Sequence, residues 1–244
     1  MTWQNTPTDL QTAFQHGKID LQGQFMLGSN YTFLVEIRYK GQAFAGVYKP
    51  QQGTQPLWDF PAESLAGREV SAYLLSEFLG WSLVPYTLLR EDGPYGPGSL
   101  QHFIEYNPNQ HYFNFKPEDK VRLCPVALFD HLINNADRKG SHVMFEKRTR
   151  HLYAIDHGLC FHAEDKLRTV IWDFSGQKIE ESYLNDIKRM SDALAQPSGL
   201  ITDLEPYLTP EEIAALAERG QGLLAEGCFP QPPQYRRAFP YPPL

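Results

Sequence analysis

The sequence predicts an α+β fold in two parts: a small β-rich N-terminal lobe and a mainly helical C-terminal lobe. Three observations predict it. Residues 31–49 hold two strand-like runs around Gly41. From about residue 118 the apolar spacing turns helical. A short apolar hairpin, Val143–Phe145 with Leu152–Ile155, interrupts that helical half. The expected division is residues 1–106 as a β-rich lobe with one helix, 107–228 as a helical lobe, and 229–244 as a proline-rich tail.

The elements follow in order. Residues 8–16 predict a short opening helix, with Leu10, Ala13 and Phe14 on one face. Phe25-Met26-Leu27 leads into the turn Gly28 to Thr32, and Tyr31 to Ile37 reads as a strand. Gly41 turns the chain into a second strand, Gln42 to Lys49, and residues 51–61 form a loop. A helix runs from Gly67 through Val70, Leu74 and Phe78 and stops at Gly80. Val84 to Glu91 and Ser99 to Tyr106 read as strands around the turn Asp92–Gly98. Glu118 to Ile133 reads as one helix, and Asn134 to His142 as a polar loop. Asp156 to Gly176 is expected to be an ordered loop, followed by helices at about 179–195 and 210–225. Thr209-Pro210-Glu211-Glu212 is a strong helix start: a capping hydroxyl, proline at the first helical position, and acids in the first turn.

Composition excludes several classes. The 244 residues carry 22 Lys and Arg against 29 Asp and Glu, a net charge of −7. Such a chain lacks the basic field that nucleic acid or an anionic membrane surface requires. Hydrophobic residues at 42% with 21% charged exclude wholesale disorder. The three cysteines are widely spaced, so neither a disulfide scaffold nor a thiolate zinc site is expected. The first residues show no basic-then-apolar leader, and Glu77 and Pro85 interrupt the most apolar window. The expectation is a cytoplasmic protein with no transmembrane segment.

Chemistry concentrates at strand ends. Asp137 lies in the polar loop before the short hairpin, and Asp156 follows its return strand. Either alone reads as a turn or capping residue; together they place two carboxylates at one end of the hairpin, suited to a divalent cation and a phosphoryl group. Lys49 ends an apolar strand, where its charge can meet phosphate oxygens. Taken alone it reads as a solvated surface lysine. Glu69 in the next helix can pair with it, or can serve as an acid near the helix N-terminus. Gly28-Ser29-Asn30-Tyr31-Thr32 can bring backbone N–H groups close to phosphate, although a plain turn has the same composition. The Gly93–Gly98 stretch is no dinucleotide motif, because its prolines remove donors and no helix follows.

These parts, in this order, resemble the protein-kinase-like superfamily, and within it the bacterial phosphatidylinositol 3- and 4-kinase-like group. The resemblance rests on Gly28-Ser29-Asn30-Tyr31-Thr32, Lys49, Gly67-Arg68-Glu69, Phe129-Asp130 with Asn134 to His142, and Ile155-Asp156-His157-Gly158. It implies a two-lobed kinase-like fold with ATP as cofactor. The glycine turn would cover the phosphates and Lys49, oriented by Glu69, would hold them. The segment with Phe103 and Glu105 would form the hinge beside adenine. Asp137 would act as base or orienter for the acceptor hydroxyl. Asp156 would bind Mg²⁺ or Mn²⁺, with His142 where the family usually has Asn. His157 stands where an aromatic residue is usual.

The function expected is an ATP-dependent phosphotransferase acting on a protein hydroxyl or small polar acceptor. A phosphoinositide headgroup is less suited, since the stretch after Asp156 offers Lys166 and Arg168 against Glu164, Asp165 and Asp173. A nucleotide-binding pseudokinase or interaction module is the alternative, motivated by His142 and the tail. A metal-dependent phosphohydrolase ranks last, because Asp130-His131 and Asp156-His157 reverse the His-then-Asp order of that class.

Overall fold

The structure, a computed structural model, describes residues 8–25, 31–52 and 59–244. Gly28, Ser29 and Asn30 lie outside the described residues, as does most of the loop expected at 51–61. Helix α1 (Thr8–His16) precedes an antiparallel sheet of β1 (Lys18–Gln24), β2 (Phe33–Tyr39), β3 (Gln42–Pro50), β4 (Thr87–Gly93) and β5 (Gly96–His102), in spatial order β1-β2-β3-β5-β4. Helix α2 (Leu65–Leu79) is inserted between β3 and β4. Strand β2 shows the period of two that buries one face: Phe33, Val35 and Ile37 are buried and pack with Leu10, Ala13 and Phe14 of α1. The predicted apolar face of α1 is thus the face that covers the sheet. Helix α2 ends as its sequence predicts, with Gly80 left-handed at φ +78°.

The second half holds α3 (Pro117–Lys120), α4 (Cys124–Ile133), the hairpin β6 (Val143–Phe145) and β7 (Leu152–Ala154), then α5 (Glu181–Leu194), α6 (Gly199–Leu204) and α7 (Pro210–Glu226). Its core joins Leu123, Leu128, Phe129 and Leu132 to Phe161, Ile187, Met190 and Leu216, and takes in Leu75 and Leu79 of α2. No regular element occurs between Asp156 and Gly176, in line with the ordered loop expected there.

Strand β1 was not anticipated: it is an edge strand whose residues are mostly exposed, so it carries almost no apolar signal. The expected helix 118–133 is two helices joined by a 3₁₀ turn, Val121–Leu123. Pro125, in the first turn of α4, lacks an N–H and crowds the preceding turn, so the helix must restart. Most of the expected turn Asp92–Gly98 is strand, leaving Pro94 and Tyr95 at the tip. Helix α6 lies between the two helices expected at about 179–195 and 210–225, where none was expected, and Ser198 Oγ caps it by accepting from Ile201 N.

The proline-rich segment folds back over the helical lobe. Thr169 N donates to Ala238 O at 3.0 Å, and Gly140 N donates to Pro243 O at 2.8 Å. Phe229, Ala238 and Pro240 are buried. Among the described residues, no helix is long and apolar enough to cross a membrane.

Candidate functional site

Alternation along β3 sets the first functional group. Tyr48 points into the α1 core, so Val47 and Lys49 face the other way, into a cleft of about 400 Å³ between sheet and helical lobe. Tyr31, Thr32, Glu69, Phe103, Asp137, His142 and Asp156 line the same cleft. Its volume lies in the range of ordinary small-molecule sites.

Lys49 Nζ donates to Glu69 Oε1 at 2.5 Å and to Asp156 Oδ1 at 2.8 Å. Withdrawal from water alone would lower the ammonium's pKa, but Asp156 and Glu69 outweigh it and hold it above the usual lysine value. Glu69 uses its second oxygen to accept from His157 N at 3.0 Å. One α2 carboxylate therefore fixes both Lys49 and the backbone just past Asp156. Asp156 itself adopts φ +63°, the left-handed region that Asp tolerates better than most residues. The side chain opens to the cleft, and the Lys49 ammonium beside it outweighs its partial loss of water and keeps its carboxyl below the usual carboxylate range.

His142 Nε2 lies 3.2 Å from Asp156 Oδ2. Its Nδ1 accepts from Lys139 N at 3.5 Å, which leaves the proton on Nε2, facing the carboxylate. Burial drives the His142 pKa down to about 4 against the pull of Asp156, so the ring is neutral at neutral pH. A carboxylate and an imidazole side by side can contribute to a divalent site if the ring proton moves to Nδ1. Among the described residues no third His, Cys, Asp or Glu joins them. That donor set fits a cation completed by phosphate oxygens and water rather than an all-protein cage.

Asp137 stands on a rigid loop. Its N–H donates to Asn135 Oδ1, and Asn135 Nδ2 donates to Asp130 Oδ1. Arg138, fully buried, directs Nε at both oxygens of the equally buried Asp130. Its Nη1 reaches the carbonyls of His142 and Ile155, and its Nη2 lies 2.8 Å from His157 Nε2. One guanidinium thus ties the Asp137 loop to the segment that carries Asp156. Burial raises the Asp137 carboxyl to about 6, although Lys139 Nζ sits 3.1 Å from its Oδ2.

Glu105 is not brought into this group. Its side chain pairs with Lys147 Nζ at 2.8 Å near the surface, and its carbonyl accepts from Lys147 N. Sequence reasoning assigned no role to Asp130, Arg138, His157 or Lys139. The available signal was Asp130, eight positions before an arginine and the one acid on α4, whose only other polar side chain besides Cys124 is His131.

The amino acids at residues 66–204 match the family described as phosphatidylinositol 3- and 4-kinase. The chain belongs to that family. It is 37% identical over 269 residues to Protein Rv2133c of Mycobacterium tuberculosis, covering 96% of this chain and 95% of that protein. The fold is kinase-like. The Golgi casein kinase superposes with a TM-score of 0.55 at 15% identity, over 89% of this chain and 73% of the other. The Helicobacter pylori proinflammatory kinase CtkA superposes with a TM-score of 0.53 at 14% identity, over 88% and 94%.

Proposed function

We propose that the cleft binds ATP and that the chain transfers the γ-phosphoryl group to a hydroxyl of a protein or small polar acceptor in the cytoplasm. The observation that carries this reading is the position of Lys49 between Glu69 and Asp156 in the cleft that also holds Asp137. A lysine with two acidic partners stays charged and aimed, ready to meet phosphate oxygens. Asp156 and His142 would hold Mg²⁺ or Mn²⁺, which when bound screens the charge of the phosphates. Asp137 accepts the acceptor's hydroxyl proton as the new oxygen–phosphorus bond forms and ADP departs with the electrons of the broken bond. A carboxyl raised to about 6 is largely ionised at neutral pH yet more basic than an ordinary Asp. Phe103 would flank the base.

A lipid headgroup is the weaker acceptor class. Lys166, one of two basic residues after Asp156 in that stretch, already lies 3.6 Å from Asp59 and 2.9 Å from Glu164. A second reading, a nucleotide-binding pseudokinase, is favoured by one observation: His142 Nε2 lies 3.2 Å from the Asp156 Oδ2 that a cation would need. Incubation with γ-labelled ATP, Mg²⁺ or Mn²⁺ and a casein or small-hydroxyl acceptor panel decides between them. Label transfer that is lost in Asp137→Asn and Asp156→Asn supports the kinase. Nucleotide binding without transfer or self-labelling supports the pseudokinase.

A further inference from the structure

The motif Gly67-Arg68-Glu69 opens α2, and only Glu69 has a place in the chemistry above. All three residues meet the helical lobe. At Gly67 a Cβ would stand 3.1 Å from Tyr207 Cβ, so glycine lets the helix lie close against the segment between α6 and α7. Arg68 is 3% exposed and directs three nitrogens at three acceptors. Nε donates to Ser64 Oγ at 3.0 Å, Nη1 to Cys160 O at 2.6 Å, and Nη2 to Glu212 Oε1 at 2.5 Å. Its guanidinium also lies 5.1 Å from the centre of the Phe60 ring. Glu212, itself 7% exposed, accepts from Thr209 N with its other oxygen, as the acid of the α7 capping box. The partner of Arg68 is therefore held by the first turn of α7.

We propose that Arg68 and Glu212 are a positioning pair that locks α2 against the helical lobe. Glu69, one residue along, is thereby preset toward Lys49 before any ligand arrives, and α2 does not work as a movable switch. Swinging α2 outward would strip a buried cation from Cys160 and Glu212 together and leave two uncompensated charges in a poorly solvated place. Only the consequence for ATP rests on the function proposed above; the lock itself does not.

The test uses the full chain with Glu212→Gln, Arg68→Met, the double variant and Arg68→Lys. In Glu212→Gln the one amide oxygen can serve Thr209 N, and the amide nitrogen then confronts Arg68 as a second donor, so the capping box survives while the pair is broken. Hydrogen exchange of α2 residues 69–75 is compared with that of α5, and ATP affinity is measured by calorimetry with Mg²⁺. The expected result is exchange in α2 faster by about tenfold in Glu212→Gln and Arg68→Met, with α5 unchanged. ATP binding weakens by about tenfold in each, the double variant is no worse, and Arg68→Lys is partly restored, since it keeps the charge but loses the fork. Unchanged exchange in α2 overturns the proposal. So does equal acceleration in α2 and α5, which would make the pair a plain stability element. If Arg68→Met does not fold, Glu212→Gln carries the decision. If the wild type binds no ATP, the nucleotide reading fails while the exchange comparison still judges the lock.

Discussion

Lys49 Nζ stands 2.8 Å from Asp156 Oδ1, joining the end of a sheet strand to the loop after a hairpin in the other lobe. The same nitrogen holds Glu69 at 2.5 Å, so three charges from three elements form one unit. Removing any member leaves the other two wrongly balanced. Lys49→Met and Glu69→Gln should each weaken nucleotide binding by about tenfold or more, and the double variant should be little worse than either. Calorimetry with ATP and Mg²⁺ across the cycle checks this; additive losses would show that the two act separately.

Asp156→Ala should abolish metal-dependent nucleotide binding and leave the fold intact, because the side chain is 47% exposed to the cleft rather than packed in a core. Thermal melting together with calorimetry in Mg²⁺ and in Mn²⁺ measures both halves of that statement. Undiminished affinity in the variant would remove Asp156 from the site.

How much of this was legible in the sequence depends on the kind of signal. Lys49 and Asp156 were visible because each is a polar residue delivered by an apolar strand. Glu69 was visible because helical spacing places it at the start of α2. The Arg138–Asp130 pair was not. Burial of both charges depends on the three-dimensional meeting of α4 with the Asp137 loop; a lone acid on a mostly apolar helix hints that Asp130 is buried but does not name its partner. Strand β1 was invisible for the opposite reason: an edge strand needs no apolar face, and its Leu21 stays 41% exposed.

That buried pair yields a stability prediction. Asp130→Ala strands Arg138 without its carboxylate in a site closed to water. The cost should be about 3–5 kcal/mol, well above the effect of a surface exchange. Urea unfolding gives the value. Because Arg138 also positions the backbone at His142 and Ile155, any folded Asp130→Ala protein should lose phosphotransfer as well.

The raised Asp137 carboxyl gives a pH prediction for activity. The base works only when ionised, so phosphotransfer should rise with pH and reach half its plateau near 6. Replacing Lys139 with Met removes the cation that opposes burial, so the midpoint should move upward. For stability the sign is reversed: a carboxyl raised in the folded state favours folding most when protonated, and that contribution fades as pH climbs through about 6. A rate profile and a set of urea curves at matched pH values separate the two effects.

His142 provides the last prediction. An ordinary imidazole titrates near 6.5, and a metal ligand of that kind would lose affinity as pH fell through that value. Burial displaces this titration to about 4, so cation affinity should stay level from pH 8 to about pH 5 and decline only below it. The depressed value also makes the neutral ring a stability contribution that is present above pH 6.5 and lost as acid approaches pH 4. His142→Asn should therefore flatten the acid limb of the unfolding curve. If the ring gives up its Nε2 proton and ligates, the wild type should favour Mn²⁺ over Mg²⁺ and the variant should shift toward Mg²⁺, since an amide oxygen suits the harder ion. If the ring keeps that proton and only orients Asp156 at 3.2 Å, the metal preference should not change while affinity for both ions falls together. Titrating wild type and variant with each metal at pH 7 and at pH 4.5 distinguishes ligand from orienter, and a variant matching the wild type in every respect would show that His142 serves neither role.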